Sequence, residues 1–151
     1  MARGLTVAVA ESCTGGMVCQ RLSDVPGASG CFLEGVVAYH NAAKVRLLGV
    51  GQGLLERHGA VSRDVAAAMA EGVRERANSD WGLSTTGIAG PGGVAGSSRG
   101  TPEKPVGLVY VALCGPSGTQ AHELRLRGSR FDVRDRTTKR LLNMLRLEIT
   151  D

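Results

Sequence analysis

Ser12 is the residue of this chain best suited to act as a nucleophile. It lies in Glu11-Ser12-Cys13-Thr14-Gly15-Gly16, directly after the apolar run Leu5-Thr6-Val7-Ala8-Val9-Ala10. A β-branched run that ends in small hydroxyl residues and a glycine pair predicts a buried strand, a tight turn and a helix start. Such a turn collects backbone N–H groups and the positive end of a helix dipole beside two hydroxyls. It can hold a phosphate, or stabilise an oxyanion next to a serine nucleophile. The same residue types also describe an ordinary helix cap.

A serine nucleophile needs a base. No Ser/His/Asp set stands out: His40 follows Tyr39, but no acid is evident beside it. Lys44, five residues after Tyr39, falls in the first turn or so of the helix expected after the second strand. Burial and the helix dipole there both favour the neutral amine, which is what a Ser–Lys pair requires. From spacing alone, a solvated surface lysine is the plainer reading. A second hydroxyl and glycine segment, Thr85-Thr86-Gly87-Ile88-Ala89-Gly90-Pro91-Gly92-Gly93, has the composition of an anion nest. It is neither a Walker A loop nor a dinucleotide fingerprint, which disfavours ATP or NAD binding by those routes. Cys13 should point away from Ser12 and into the core.

The elements that must position these residues follow from pattern. Strands are expected at Leu5–Ala10, Gly35–Tyr39, Gly82–Thr86, Val106–Leu113 and Gln120–Leu126, and helices at Gly16–Ser23, Asn41–Leu48, Leu54–His58, Ser62–Asn78 and Phe131–Glu148. Ser62 is the expected cap of the fourth helix, with Asp64 in its first turn. Val65, Met69 and Val73 form its inner face, and Val133, Leu141, Leu142, Leu145 and Leu147 that of the last helix. Cys114 to Thr119 links the last two strands as a hairpin. The order predicts an α/β fold in three layers, α/β/α, with a mixed sheet that ends in a C-terminal antiparallel hairpin. Ligands in such folds bind beyond the C-terminal ends of strands.

Composition bounds the rest. The 151 residues suit a single domain over 1–151, and 42% hydrophobic with 21% charged residues is a globular composition. With 3% aromatics, the core must rest on Val, Leu, Ile and Ala. The net charge of +4 is spread, densest at Arg125, Arg127, Arg130, Arg134 and Arg136, and reads as a solvated helix face. Few aromatics accompany it, so a small anionic substrate explains it at least as well as nucleic acid does. Cys13, Cys19, Cys31 and Cys114 lack C-x-x-C spacing and the three His are scattered, so no metal site is expected. Unpaired thiols and the lack of a membrane span or signal sequence point to the cytoplasm. Residues 90–100, rich in Gly and Ser, read as a mobile loop.

Taken together, the motifs resemble the C-terminal domain of the CinA family, also found as a stand-alone nicotinamide-nucleotide amidohydrolase. The resemblance is carried by Ala10 to Gly16, by Gly35 to Tyr39 with Asn41 and Lys44, and by Leu47 to Val50 and Gly59 to Ser62. Thr86 to Gly93, Thr101 to Gly107 and Gly128 to Arg134 continue it in the same order. It implies hydrolysis of the carboxamide of nicotinamide mononucleotide to nicotinate mononucleotide and ammonia, without a cofactor or metal. It also implies Ser12 as nucleophile, Lys44 as base and Tyr39 as an orienting residue. Thr14 with the backbone of Gly15 and Gly16 would serve an oxyanion or phosphate, and Thr86, Gly87, Arg130 and Arg134 the phosphate side. The other reading is a non-catalytic nucleotide-binding or regulatory module of the same family. Three departures stand out: no amphipathic helix precedes the first strand, Val94 to Arg99 are inserted, and Ser129 replaces a common acid or amide. The first predicts an apolar surface that a partner subunit covers, hence a homo-oligomer, or else a lower stability.

Overall fold

The computed structural model describes residues 4–91 and 100–150. The elements are β1 (Val7–Glu11), α1 (Met17–Ser23), a 3-10 turn (Ala28–Gly30), β2 (Phe32–Val37), α2 (Asn41–Leu48), α3 (Gln52–His58), α4 (Arg63–Ala77), β3 (Trp81–Gly87), β4 (Leu108–Gly115), β5 (Gly118–Arg125) and α5 (Arg130–Thr150). The inserted residues 94–99, with Gly92 and Gly93, lie outside the described residues.

β1 is buried along its whole length, and alternation divides it between two helical layers. Val7 and Val9 meet Val18 of α1, Leu83, Val109, Val111 and Leu113 of the sheet, and Val133, Leu141 and Leu145 of α5. Ala8 and Ala10 face the other way, against Leu48 of α2, Leu55 of α3 and Val65, Met69 and Val73 of α4. The result is the expected three-layer α/β/α arrangement around a five-stranded mixed sheet, in the order β2-β1-β3-β4-β5. β1 runs parallel to β2 and β3, and β3-β4-β5 are antiparallel, with the hairpin last.

On the α4 face the sheet presents Ala8, Ala10, Gly82, Ser84 and Ala112, and α4 comes close because they are small. A Cβ on Gly82 would lie 2.1 Å from the Ala70 carbonyl oxygen. Ser84 Oγ donates to Ala66 O at 2.6 Å. Ser62 caps α4 as expected, accepting from Val65 N.

Several boundaries differ from expectation. The expected hairpin link Cys114 to Thr119 shrinks to Pro116-Ser117, because Cys114 pairs with Thr119 and Gly115 with Gly118 in the ladder. β2 starts at Phe32 rather than Gly35, because a bulge at Leu33 turns the strand: Val7 pairs with Phe32, but Ala8 pairs with Glu34. This puts Phe32 against the α1 side and Val36 against the α4 side. β4 begins at Leu108, since Gly107 (φ +89) turns the chain while donating to Ile88 O and accepting from Leu126 N. Leu147 is exposed, and the inner face of α5 continues from Leu145 through Ile149 instead.

Gly82→Val drives a side chain into α4, and a loss of about 2–3 kcal/mol is expected from overpacking. Urea unfolding of the variant checks it; a loss near zero would mean that α4 does not sit against β3 at this distance.

Candidate active site

The chain goes from β1 to β2 on one side and then crosses to β3 on the other, so the sheet switches direction at the C-terminal ends of β1 and β3. Open α/β sheets form a crevice at such a point. Ser12 opens it, held in the ladder by its N–H, which donates to Thr85 O at 3.0 Å.

Lys44 projects into the same place from the first turn of α2. Its Nζ lies 3.1 Å from Ser12 Oγ, 2.9 Å from Ala38 O and 3.2 Å from Tyr39 O. Lys44 is 1% exposed and Ser12 is 9% exposed. Burial lowers the Lys44 pKa from its ordinary value of 10.5, a direction opposed only by the nearby Cys13. The surface-lysine reading is thereby excluded. His40 is committed to another task, as its Nδ1 caps α2 by accepting from Ala42 N. Cys13 lies in the core cluster of the α1–α5 side, and burial pushes its thiol up to about 12. It is therefore a neutral thiol at physiological pH.

The turn after Ser12 is organised by a residue that the sequence reading passed over. Glu11 is fully buried, and its carboxylate accepts from the N–H groups of Gly16, Val18 and Cys19 at 3.0, 3.1 and 2.8 Å. The N-cap of α1 is Gly16, in the left-handed region at φ +100 and with no side-chain oxygen of its own. Neither Ser12 nor Thr14 caps α1; Glu11 does, reaching forward from the end of β1. The signal was present as an acid at a strand end, a few residues before a helix start that has no good cap.

The remaining expected residues divide. The Gly15 N–H donates to Ser12 O, and the Gly16 N–H is taken by Glu11, so neither is open to a ligand. Among the described residues the amides of Cys13 and Thr14 donate to no other residue. Thr14 Oγ1 lies 2.7 Å from Thr85 Oγ1. Thr86, on the opposite face of β3, donates to Ala60 O, and Gly87 is fixed by close contact with β4. The threonine of β3 that meets the Ser12 turn is Thr85. Arg130 and Arg134 of α5 do arrive at the crevice. Arg134 donates from Nε and Nη2 to Thr14 O, while Arg130 donates to Gly90 O and, at 2.8 Å, to the Tyr39 hydroxyl. Tyr39 thus touches both partners: its carbonyl takes Lys44 and its phenol takes Arg130. The arrangement can pass a proton between Ser12 and Lys44 beside two guanidinium groups. No group of His, Cys, Asp and Glu among the described residues could hold a metal ion. No described helix is long and apolar enough to cross a membrane.

Two outcomes follow from these contacts. Glu11→Ala strands buried N–H groups at the start of α1 and should cost about 2–4 kcal/mol in urea unfolding, from cap loss and unpaired donors; a loss under about 1 kcal/mol would remove Glu11 from this role. For Lys44 the unfolded chain holds its proton more tightly than the folded one. Stability therefore rises with pH from the lowered folded value up to 10.5. Lys44→Met should flatten that rise, as read from unfolding midpoints between neutral and alkaline pH.

Comparison with known proteins agrees with this architecture. The model of the CinA C-terminal domain matches residues 1–149. A CinA-like protein of Anaeromyxobacter sp. (strain K) is 55% identical over 148 residues, which are 98% of this chain but 35% of that protein. The chain thus spans about a third of the length of the curated relatives it matches. Among solved structures, the competence/damage inducible protein CihA from Agrobacterium tumefaciens superposes with TM-score 0.87 at 42% identity, covering 94% of this chain and 84% of that one. A CinA superfamily protein from Escherichia coli gives 0.88 at 32% identity, covering 95% and 80%. A match along almost its whole length makes this chain a member of the CinA C-terminal domain family.

Proposed function

We propose that the chain is an amidase that hydrolyses the carboxamide of nicotinamide mononucleotide to nicotinate mononucleotide and ammonia. The observation that carries this reading is the buried amine of Lys44 at 3.1 Å from Ser12 Oγ. In its neutral form the amine gives its two N–H groups to Ala38 O and Tyr39 O, and its lone pair faces the serine hydroxyl. Ser12 Oγ attacks the carboxamide carbon as its proton passes to Lys44. The N–H groups of Cys13 and Thr14, which donate to no other described residue, receive the oxyanion. Lys44 then protonates the departing nitrogen, which leaves as ammonia, and an ester to Ser12 remains. Lys44 next takes a proton from water, the hydroxide attacks the ester, and nicotinate mononucleotide departs as Ser12 recovers its proton.

Arg130 and Arg134 bind the substrate phosphate. Each uses two of five N–H donors within the chain, which leaves the others for phosphate oxygens. Tyr39 orients the lysine through its carbonyl and the arginine through its phenol. The substrate class rests on the family resemblance, and the reaction type on the Ser12–Lys44 geometry.

Ammonia release from nicotinamide mononucleotide is the direct test. Ser12→Ala should lower kcat by about a thousandfold or more while nucleotide still binds. Lys44→Arg keeps the charge but cannot act as a base at neutral pH, and should be equally inactive. The wild-type kcat/KM should rise with pH, with the midpoint of the rise below 10.5. Wild-type turnover in Lys44→Arg would overturn the Ser–Lys assignment. Binding without any ammonia release by the wild type would leave a nucleotide-binding module.

A further inference from the structure

The cations of the last third of the chain also gather away from Ser12. A cleft of about 610 Å³ opens between the end of β5, the residues that follow it and the middle of α5. Arg125, Arg127, Arg136, Lys139 and Arg140 line it, with Leu126 as its apolar side chain; no carboxylate and no aromatic ring does. Arg136, Lys139 and Arg140 stand at i, i+3 and i+4, so they share one flank of α5. Like charges at this spacing repel.

Two of the five cations already have a carboxylate partner among the described residues, and three do not. Glu123 pairs with Arg125, and Asp135 is shared by Lys139 and Arg21. Asp132, although it feels the charge of Arg136, accepts from the Ser129 amide and hydroxyl. Among the described residues Arg127, Arg136 and Arg140 make no ion pair. Arg136 is drawn over the cleft by its Nη1, which donates to Arg127 O at 2.6 Å. This group is distinct from the pair at the crevice, because Arg134 and Arg136, two positions apart on a helix, leave it on opposite flanks.

We propose that this cleft is a second anion site, which takes a chain of linked phosphates. A concave surface lined by one sign of charge concentrates counter-ions. Guanidinium forks match phosphate oxygens, and several forks in a row suit several phosphates in a row. Without an aromatic ring in the lining, the site does not stack a base, so it recognises the phosphates and not what they are attached to.

Calorimetric titration with tripolyphosphate at low salt tests this on the whole chain. The expected result is saturable binding that added salt weakens. Arg127→Glu with Arg140→Glu should weaken it about tenfold or more. The matched pair Arg46→Glu with Arg57→Glu, on α2 and α3, changes net charge equally and should leave it within about threefold. Arg127→Gln with Arg140→Gln, a milder pair, should fall between, which keeps the test valid should the reversed pair fail to fold. Adenosine triphosphate should bind about as tightly as tripolyphosphate. No binding, equal loss in both glutamate pairs, or much tighter binding of adenosine triphosphate would each overturn the proposal. So would a single-stranded oligonucleotide that bound far more tightly through the same two arginines, since the surface would then serve nucleic acid.

Discussion

A primary amine that is 1% exposed must find oxygen for each of its hydrogens, and the strand ends around Lys44 are arranged to supply it. Two acceptors, Ala38 O and Tyr39 O, come from the short stretch where β2 leaves the sheet. The chain turns there into α2, whose start His40 caps and whose first turn carries Lys44. The third acceptor is the serine hydroxyl. A protonated amine gives a hydrogen to each of the three oxygens. A neutral one keeps the two carbonyls and accepts from Ser12. Both protonation states therefore fit one arrangement of heavy atoms, and a proton can cross from oxygen to nitrogen with little movement of the framework.

Glu11 settles where positive potential is available to a ligand. A turn that leads into a helix normally exposes N–H groups and the positive end of the dipole, which suits an anion. Here a carboxylate from the preceding strand already fills that position. The start of α1 is thus a structural joint that fixes the Ser12 turn to β1. The positive charge at the crevice comes instead from Arg130 and Arg134, at the far end of the sequence, brought in by α5.

The layered fold was legible because its signals are local. An apolar run before a hydroxyl–glycine turn, a serine-capped amphipathic helix and a turn-rich hairpin each announce themselves within a few residues. Lys44 was legible as a position but not as a buried group, since its burial depends on how β2 and α2 meet. Glu11 was missed because an acid is ordinarily read as surface, and because its partners are backbone amides, which have no residue identity. Which of Thr85 and Thr86 meets the Ser12 turn was not legible without the register. In a strand, neighbouring residues face opposite sides, and only the pairing of Glu11 with Thr85 decides which hydroxyl turns toward the Ser12 loop. The bulge at Leu33 shifted β2 for the same reason, because a one-residue slip is set by the partner strand.

Tyr39 joins these constraints. Its carbonyl belongs to the lysine and its phenol to Arg130, so one residue spans the base on α2 and the cation on α5. Its side chain is nonetheless 58% exposed, so the ring is held at its tip and left open on its face. The phenol also limits where Arg130 can go, since the guanidinium donates both to Gly90 O and to the tyrosine. The span between the Lys44 amine and the Arg130 guanidinium is therefore bridged by a single tyrosine.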